Sequence, residues 1–79
     1  MKKTEFVAGL GDFCEFEMEG VTLDTPFKSI QGYDSLAVLS MIAYIDDHFG
    51  VQLTAQQFAE ITDFNSLISL IGNDKFTNE

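Results

Sequence analysis

Ser35 has the surroundings best suited to chemistry. It stands in the stretch Gly32-Tyr33-Asp34-Ser35-Leu36, just before a helical pattern. Val38, Met41, Ile42, Ile45 and Phe49 then recur at spacings of three, one, three and four, which is one apolar face of a helix. Gly50 follows as a C-terminal stop. Ser35 therefore lies at or just inside a helix N-terminus. Unpaired backbone N–H groups and the positive end of the dipole favour an added anion there.

Three readings of Ser35 are open. In the first, Asp34 or Ser35 is simply the helix N-cap, accepting a hydrogen bond from a first-turn N–H. In the second, Ser35 is a nucleophile. No Gly-x-Ser-x-Gly elbow is present, and the single histidine, His48, falls further along the same helix. At 1.5 Å per residue the two are about 20 Å apart, beyond hydrogen-bond reach. In the third, Ser35 is a modification site, an exposed hydroxyl suited to a phosphodiester-linked group.

The other reactive side chains have plainer readings. His48 sits in the last turn of its helix, where a cation is favoured, and reads as solvated or capping. Asp46 and Asp47 are near the same end and match no EF-hand loop. Cys14 is the lone cysteine, so it makes no internal disulfide and reads as a small buried hydrophobe. No metal site is expected.

Helical elements must position Ser35. Residues 3–15 read as a first helix with Phe6, Leu10 and Phe13 inward, joined by Val7 and Cys14. Gly9 and Gly11 weaken it, each by about 1 kcal/mol relative to Ala. Residues 16–33 read as a long loop punctuated by Gly20, Pro26 and Gly32, with Val21, Leu23, Phe27 and Ile30 as pegs into the core. A helical turn is expected at Lys28–Ile30. The second helix runs from about Ser35 to Phe49. Thr54-Ala55-Gln56-Gln57 has the form of a capping box, and a short third helix follows with Phe58 and Ile61 inward. Thr62 or Asp63 caps a fourth stripe, Phe64, Leu67, Ile68 and Ile71, which Gly72 ends. The expected fold is all-α: one domain over residues 1–79, a small four-helix bundle with a long first loop and a short third helix. Residues 73–79 read as a flexible tail.

Composition narrows the partners. Thirteen acids face four lysines in 79 residues, a net charge of −9, and no arginine is present. That excludes nucleic acid and anionic membrane surfaces and favours proteins with basic patches. No apolar run reaches membrane-spanning length, and Gly9, Gly11 and Asp12 break the segment after Met1-Lys2-Lys3 that a signal peptide would need. A monomer in a reducing cytoplasm is the expectation.

Asp34-Ser35-Leu36, with Phe27 and Gly32 before it and Phe49-Gly50-Val51, Leu53, Thr54, Ile61-Thr62 and the stripe to Ile71 after it, resembles the acyl carrier proteins. The resemblance implies 4′-phosphopantetheine, derived from coenzyme A, on Ser35, with Asp34 and Leu36 beside it. It implies a non-enzymatic carrier that holds an acyl or aminoacyl group as a thioester. Its partners would be a phosphopantetheinyl transferase, an acyl- or aminoacyl-loading ligase, and downstream synthases or transferases. By the same analogy Leu36, Leu39, Ser40, Ala43 and Asp47 form the docking face on the second helix. Departures from fatty-acid carriers, the two glycines of the first helix among them, point to a specialised pathway. Ala37 and Ser40 stand where acids are usual, Tyr33 where a small or aliphatic residue is common, and Phe58 and Leu67 where alanine is frequent. The rival reading is an acidic helical adaptor that binds partners through the second helix without a prosthetic group.

Overall fold

A computed structural model describes residues 1–77. It is all-helical. α1 spans Lys3–Phe13, α2 Ser35–Phe49, α3 Ala55–Glu60 and α4 Phe64–Ile71. Single 3₁₀ turns lie at Phe27–Ser29 and Asn73–Lys75. Among the described residues the only β contact is an isolated bridge between Lys2 and Thr77. The Cα radius of gyration is 11.3 Å.

Local chemistry sets most boundaries. Thr54 caps α3 with a reciprocal box: its hydroxyl accepts from the Gln57 N–H at 3.2 Å, and its own N–H donates to Gln57 Oε1 at 2.9 Å. Asp63, rather than Thr62, caps α4, accepting the Ser66 N–H at 2.9 Å. Gly50 and Gly72 stand as the C-caps of α2 and α4.

One apolar core joins the helices. Phe6 and Leu10 of α1, Met41 and Ile45 of α2, and Phe64, Leu67 and Ile68 of α4 are almost completely buried. The α4 stripe lies inward in full, as its spacing predicts. The segment between α1 and α2 is pegged by Phe16, Phe27 and Ile30, all buried, with Val21 and Leu23 partly so. The Phe27 N–H donates to Thr62 O at 2.8 Å, tying this segment to the α3–α4 corner.

Two expectations need correction, and the glycines of α1 gain a second role. Phe13 is 55 % exposed rather than inward. α1 ends on it, and its ring lies over Tyr44 at 5.5 Å instead of entering the core. The two glycines of α1 serve close approach as well as costing helix propensity. A Cβ on Gly9 would strike the Tyr44 hydroxyl, and one on Gly11 would strike Met18. The reading of residues 73–79 as a loose tail also fails for its described part. Phe76 is 8 % exposed and packs edge-on to Phe6 and tilted against Phe49, both at 5.1 Å. The Thr77 N–H reaches Met1 O at 3.0 Å. Residues 78 and 79 lie outside the described residues.

Candidate functional site

The start of α2 divides its work between two adjacent side chains. Asp34 has extended backbone, and its carboxylate accepts the Ala37 N–H at 2.8 Å. Asp34 is therefore the N-cap. Ser35 is the first helical residue and is exposed. The cap reading left open between the two residues goes to Asp34, and the Ser35 hydroxyl faces outward beside the first-turn N–H groups. The N–H groups of Ser35 and Leu36 precede the intrahelical ladder, so they remain available to an anion.

The histidine and the cysteine both have other surroundings. His48 is exposed at the far end of α2, with its ring 4.1 Å from that of Tyr44. Among the described residues no group of three or more His, Cys, Asp or Glu side chains could hold a metal. Cys14 is half-buried at the end of α1, its Sγ 4.0 Å from the Ala37 carbonyl oxygen, and burial pushes its thiol up to about 11. It is a packed thiol, not a primed nucleophile.

The outer side of α2 is apolar near Ser35. Leu36 and Leu39 are 70 % and 59 % exposed. Ala43 and Asp47 are exposed as well, and Ser40 is half-buried. Ala37 does not belong with them. It is 6 % exposed and lines up with Met41 and Ile45 at four-residue intervals, which is the core side of the helix. The lack of an acid at Ala37 therefore reflects the core and not the docking face. Ser40 alone keeps the docking meaning.

Tyr33 matters more than the sequence alone indicated. Its ring stacks on Phe27 with centroids 5.3 Å apart and planes 10° from parallel. Burial raises the pKa of its hydroxyl. It stands between two shallow grooves. One, of about 360 Å³, lies between α2 and α3, with Ser35, Val38, Leu39 and Phe58 along it. The other, of about 340 Å³, is bounded by Pro26, Phe27, Lys28 and Thr62. Tyr33, Phe58 and Ala59 line both. Phe58 is 3 % exposed and belongs to the buried core as well as to the lining of both grooves. The sequence signal for this wall was an aromatic residue next to Asp34-Ser35. Lys28 carried no signal at all, because its position on the groove depends on a contact between distant segments.

An exposed primary hydroxyl, open first-turn N–H groups and an adjacent groove meet at the start of α2. The family model of the phosphopantetheine attachment site matches residues 5–71. The chain belongs to that family. Comparison with curated proteins finds no match, and neither does comparison with solved structures. The group that this family of domains attaches is covalent 4′-phosphopantetheine. Such domains carry rather than catalyse, and they work with a phosphopantetheinyl transferase and with biosynthetic enzymes.

Proposed function

We propose that Ser35 is the attachment residue and that the chain carries an acyl or aminoacyl group between biosynthetic enzymes. The observation that supports this most is the division of labour at the start of α2. Asp34 satisfies the Ala37 N–H, so the Ser35 hydroxyl is left exposed and uncommitted to the cap.

In the attachment step the Ser35 Oγ bonds to the phosphorus of coenzyme A that bears the pantetheine. The pyrophosphate bond breaks, adenosine 3′,5′-bisphosphate leaves, and the serine proton passes to a base of the transferase. The first-turn N–H groups and the helix dipole favour the phosphodiester negative charge at this position. Once bound, the group supplies a terminal thiol that forms a thioester with the cargo. The remaining work falls to the protein. Asp34 fixes the first turn of α2 and so the direction from which the hydroxyl is approached. Leu36 and Leu39 offer an apolar anchor next to the attachment point, with Ala43, Ser40 and Asp47 continuing the docking face along α2. The acidic surface speeds encounter with basic partner patches, and its contacts loosen with salt, which suits rapid exchange of partners.

The cargo is small or lies outside the bundle. Phe58 and Leu67 fill the volume that a long chain inside would need. With a neutral Ser40, this favours a stand-alone carrier of a specialised pathway, acting as a monomer in the cytoplasm. The chain itself catalyses no reaction.

Intact mass spectrometry tests the reading. Coenzyme A and a broad-specificity transferase should add one phosphopantetheine per chain, and none to Ser35→Ala. Addition that persists in Ser35→Ala places the site elsewhere. No addition to the folded wild type favours an adaptor without a prosthetic group.

A further inference from the structure

We infer that Tyr33 is a positioning residue for the attachment step: it fixes the angle at which the chain enters α2 and, through the Asp34 cap, aims the Ser35 hydroxyl. This rests on Ser35 as the attachment residue and names what holds that residue in place. Tyr33 occupies the N′ position of α2, one residue before the Asp34 cap, and Val38 occupies N4. An apolar pair at these two places is the pattern of a hydrophobic staple, which sets the entry angle of a chain into its helix. Both side chains are half-buried against the core, and both line the groove that borders Ser35.

Tyr33 is itself held by distant segments. Its ring stacks on Phe27 and tilts against Phe16 at 6.2 Å, and both partners are buried. Its N–H donates to Ile30 O at 3.2 Å. The Glu17 N–H donates to Gln31 O at 3.1 Å, which ties the turn before α2 to the chain leaving α1. Gly32, at φ +103°, passes so close that a Cβ there would lie 3.3 Å from Glu15 O and 3.4 Å from the Phe16 ring. Among the described residues Glu15 is the one non-glycine with positive φ, at 57°. Left-handed backbone is costly for such a residue and persists where its surroundings over-determine it. Here it closes α1, with the Phe16 N–H on Gly11 O at 2.9 Å, and the turn delivers Phe16 to Tyr33. Ser35 is exposed, so its aim is inherited from the backbone on either side. Attack on phosphorus needs the hydroxyl in line with the breaking bond, and a misplacement of about 1 Å costs on the order of a hundredfold in rate.

The test measures initial rates of phosphopantetheine transfer from coenzyme A to the folded apo protein by a broad-specificity transferase, over a range of carrier concentrations. Tyr33→Leu should lower kcat about ten- to a hundredfold and leave KM within about twofold, because the outer face of α2 is intact. Tyr33→Phe keeps the ring and should restore the wild-type kcat. Exchange of the Ala37 amide, the donor to the Asp34 carboxylate, should quicken about tenfold in Tyr33→Leu relative to the amides of Met41 and Ile45. Phe27→Leu removes the stacked partner and keeps aliphatic bulk; it should reproduce both effects and serves if Tyr33→Leu fails to fold. Phe76→Ala, beside Phe49 at the far end of α2, should leave kcat unchanged. A wild-type kcat in either leucine variant, a loss confined to KM, no rescue by Tyr33→Phe, unchanged exchange at Ala37, or an equal fall in Phe76→Ala overturns the inference while leaving Ser35 as the attachment residue. Failure of the wild type to accept the group overturns both.

Discussion

Phe58→Ala should turn a carrier with a closed interior into one that shelters a long acyl chain. Phe58 is 3 % exposed and lines the groove that borders Ser35, so truncation should open that groove toward the core. Phenylalanine-to-alanine changes in cores cost about 3–5 kcal/mol. The rim position of Phe58 allows some collapse, so about 3 kcal/mol is the working figure. A domain of this size loses roughly 4–8 °C per kcal/mol, which gives a fall in Tm of about 12–24 °C. With total stability on the order of 5–15 kcal/mol, the variant remains folded at low temperature. Each methylene buried in the new cavity returns about 0.8 kcal/mol, so three or four methylenes of an octanoyl chain recover most of the loss.

Thermal melts of the apo, holo and octanoyl-loaded forms, for wild type and variant, read this directly. Octanoylation should raise the variant's Tm by 10 °C or more, an estimate of about 2.4 kcal/mol at those slopes, and should move the wild type by only a few degrees. Leu67→Ala, on the fully buried α4 stripe, serves as a second opening of the core if Phe58→Ala melts too low to load. A wild type that gains as much as the variant would show that the interior already opens. The reading of a small or externally held cargo would then be wrong.

Four further outcomes are expected. Ala37→Asp should destabilise by several kcal/mol by burying a carboxylate among Met41 and Ile45, while Ser40→Glu should be nearly neutral in chemical denaturation and should improve turnover by a fatty-acid ketosynthase; equal stability of the two variants refutes the rotation assigned to α2. Wild-type Tm should rise with salt or millimolar divalent cation, since a net charge of −9 repels itself in the compact state; a Tm indifferent to ionic strength counts against this. With its thiol pushed up to about 11, Cys14 should react with iodoacetamide at pH 8 on the order of a hundredfold more slowly than the arm thiol of the holo protein, and equal rates would contradict the burial. The Ser66 hydrogen bonds hold the Asp63 carboxyl below its ordinary value, so its contribution is present above the unfolded value near 3.8 and is lost as pH falls through the lower folded value; Asp63→Asn should flatten that part of the acid denaturation curve.

What the sequence revealed and what it hid follow from the range of the interactions. The Thr54 box, the Asp63 cap and the α4 stripe are each closed by contacts within one or two turns, so residue type and spacing carry them. Ala37 was misplaced because alanine adds almost nothing to a hydrophobic pattern. Its burial shows only once Met41 and Ile45 are seen on the same side. Phe16 and Phe76 are isolated aromatics without periodic companions. Their burial depends on partners far along the chain, Tyr33 for the first and Phe6 with Phe49 for the second. Gly9 and Gly11 looked like weak points in α1, because the clearance they provide is owed to Tyr44 and Met18, which arrive from other segments.

The candidate site shows the same limit at a finer scale. Asp34 and Ser35 are both good N-cap residues, so residue preference alone cannot say which of them caps. The answer depends on where the helix begins, by a single residue. With Asp34 extended and its carboxylate 2.8 Å from the Ala37 nitrogen, the first helical position falls to Ser35. Had the helix begun one residue later, the serine oxygen would have been turned back onto the backbone and the aspartate would have faced solvent. Ser35→Ala should therefore abolish attachment with little loss of stability, whereas Asp34→Ala should cost about 0.5–2 kcal/mol through the lost cap. The two effects are separable by mass and by melting. A large loss of stability in Ser35→Ala would assign the cap to the serine and remove the observation on which the carrier reading chiefly rests.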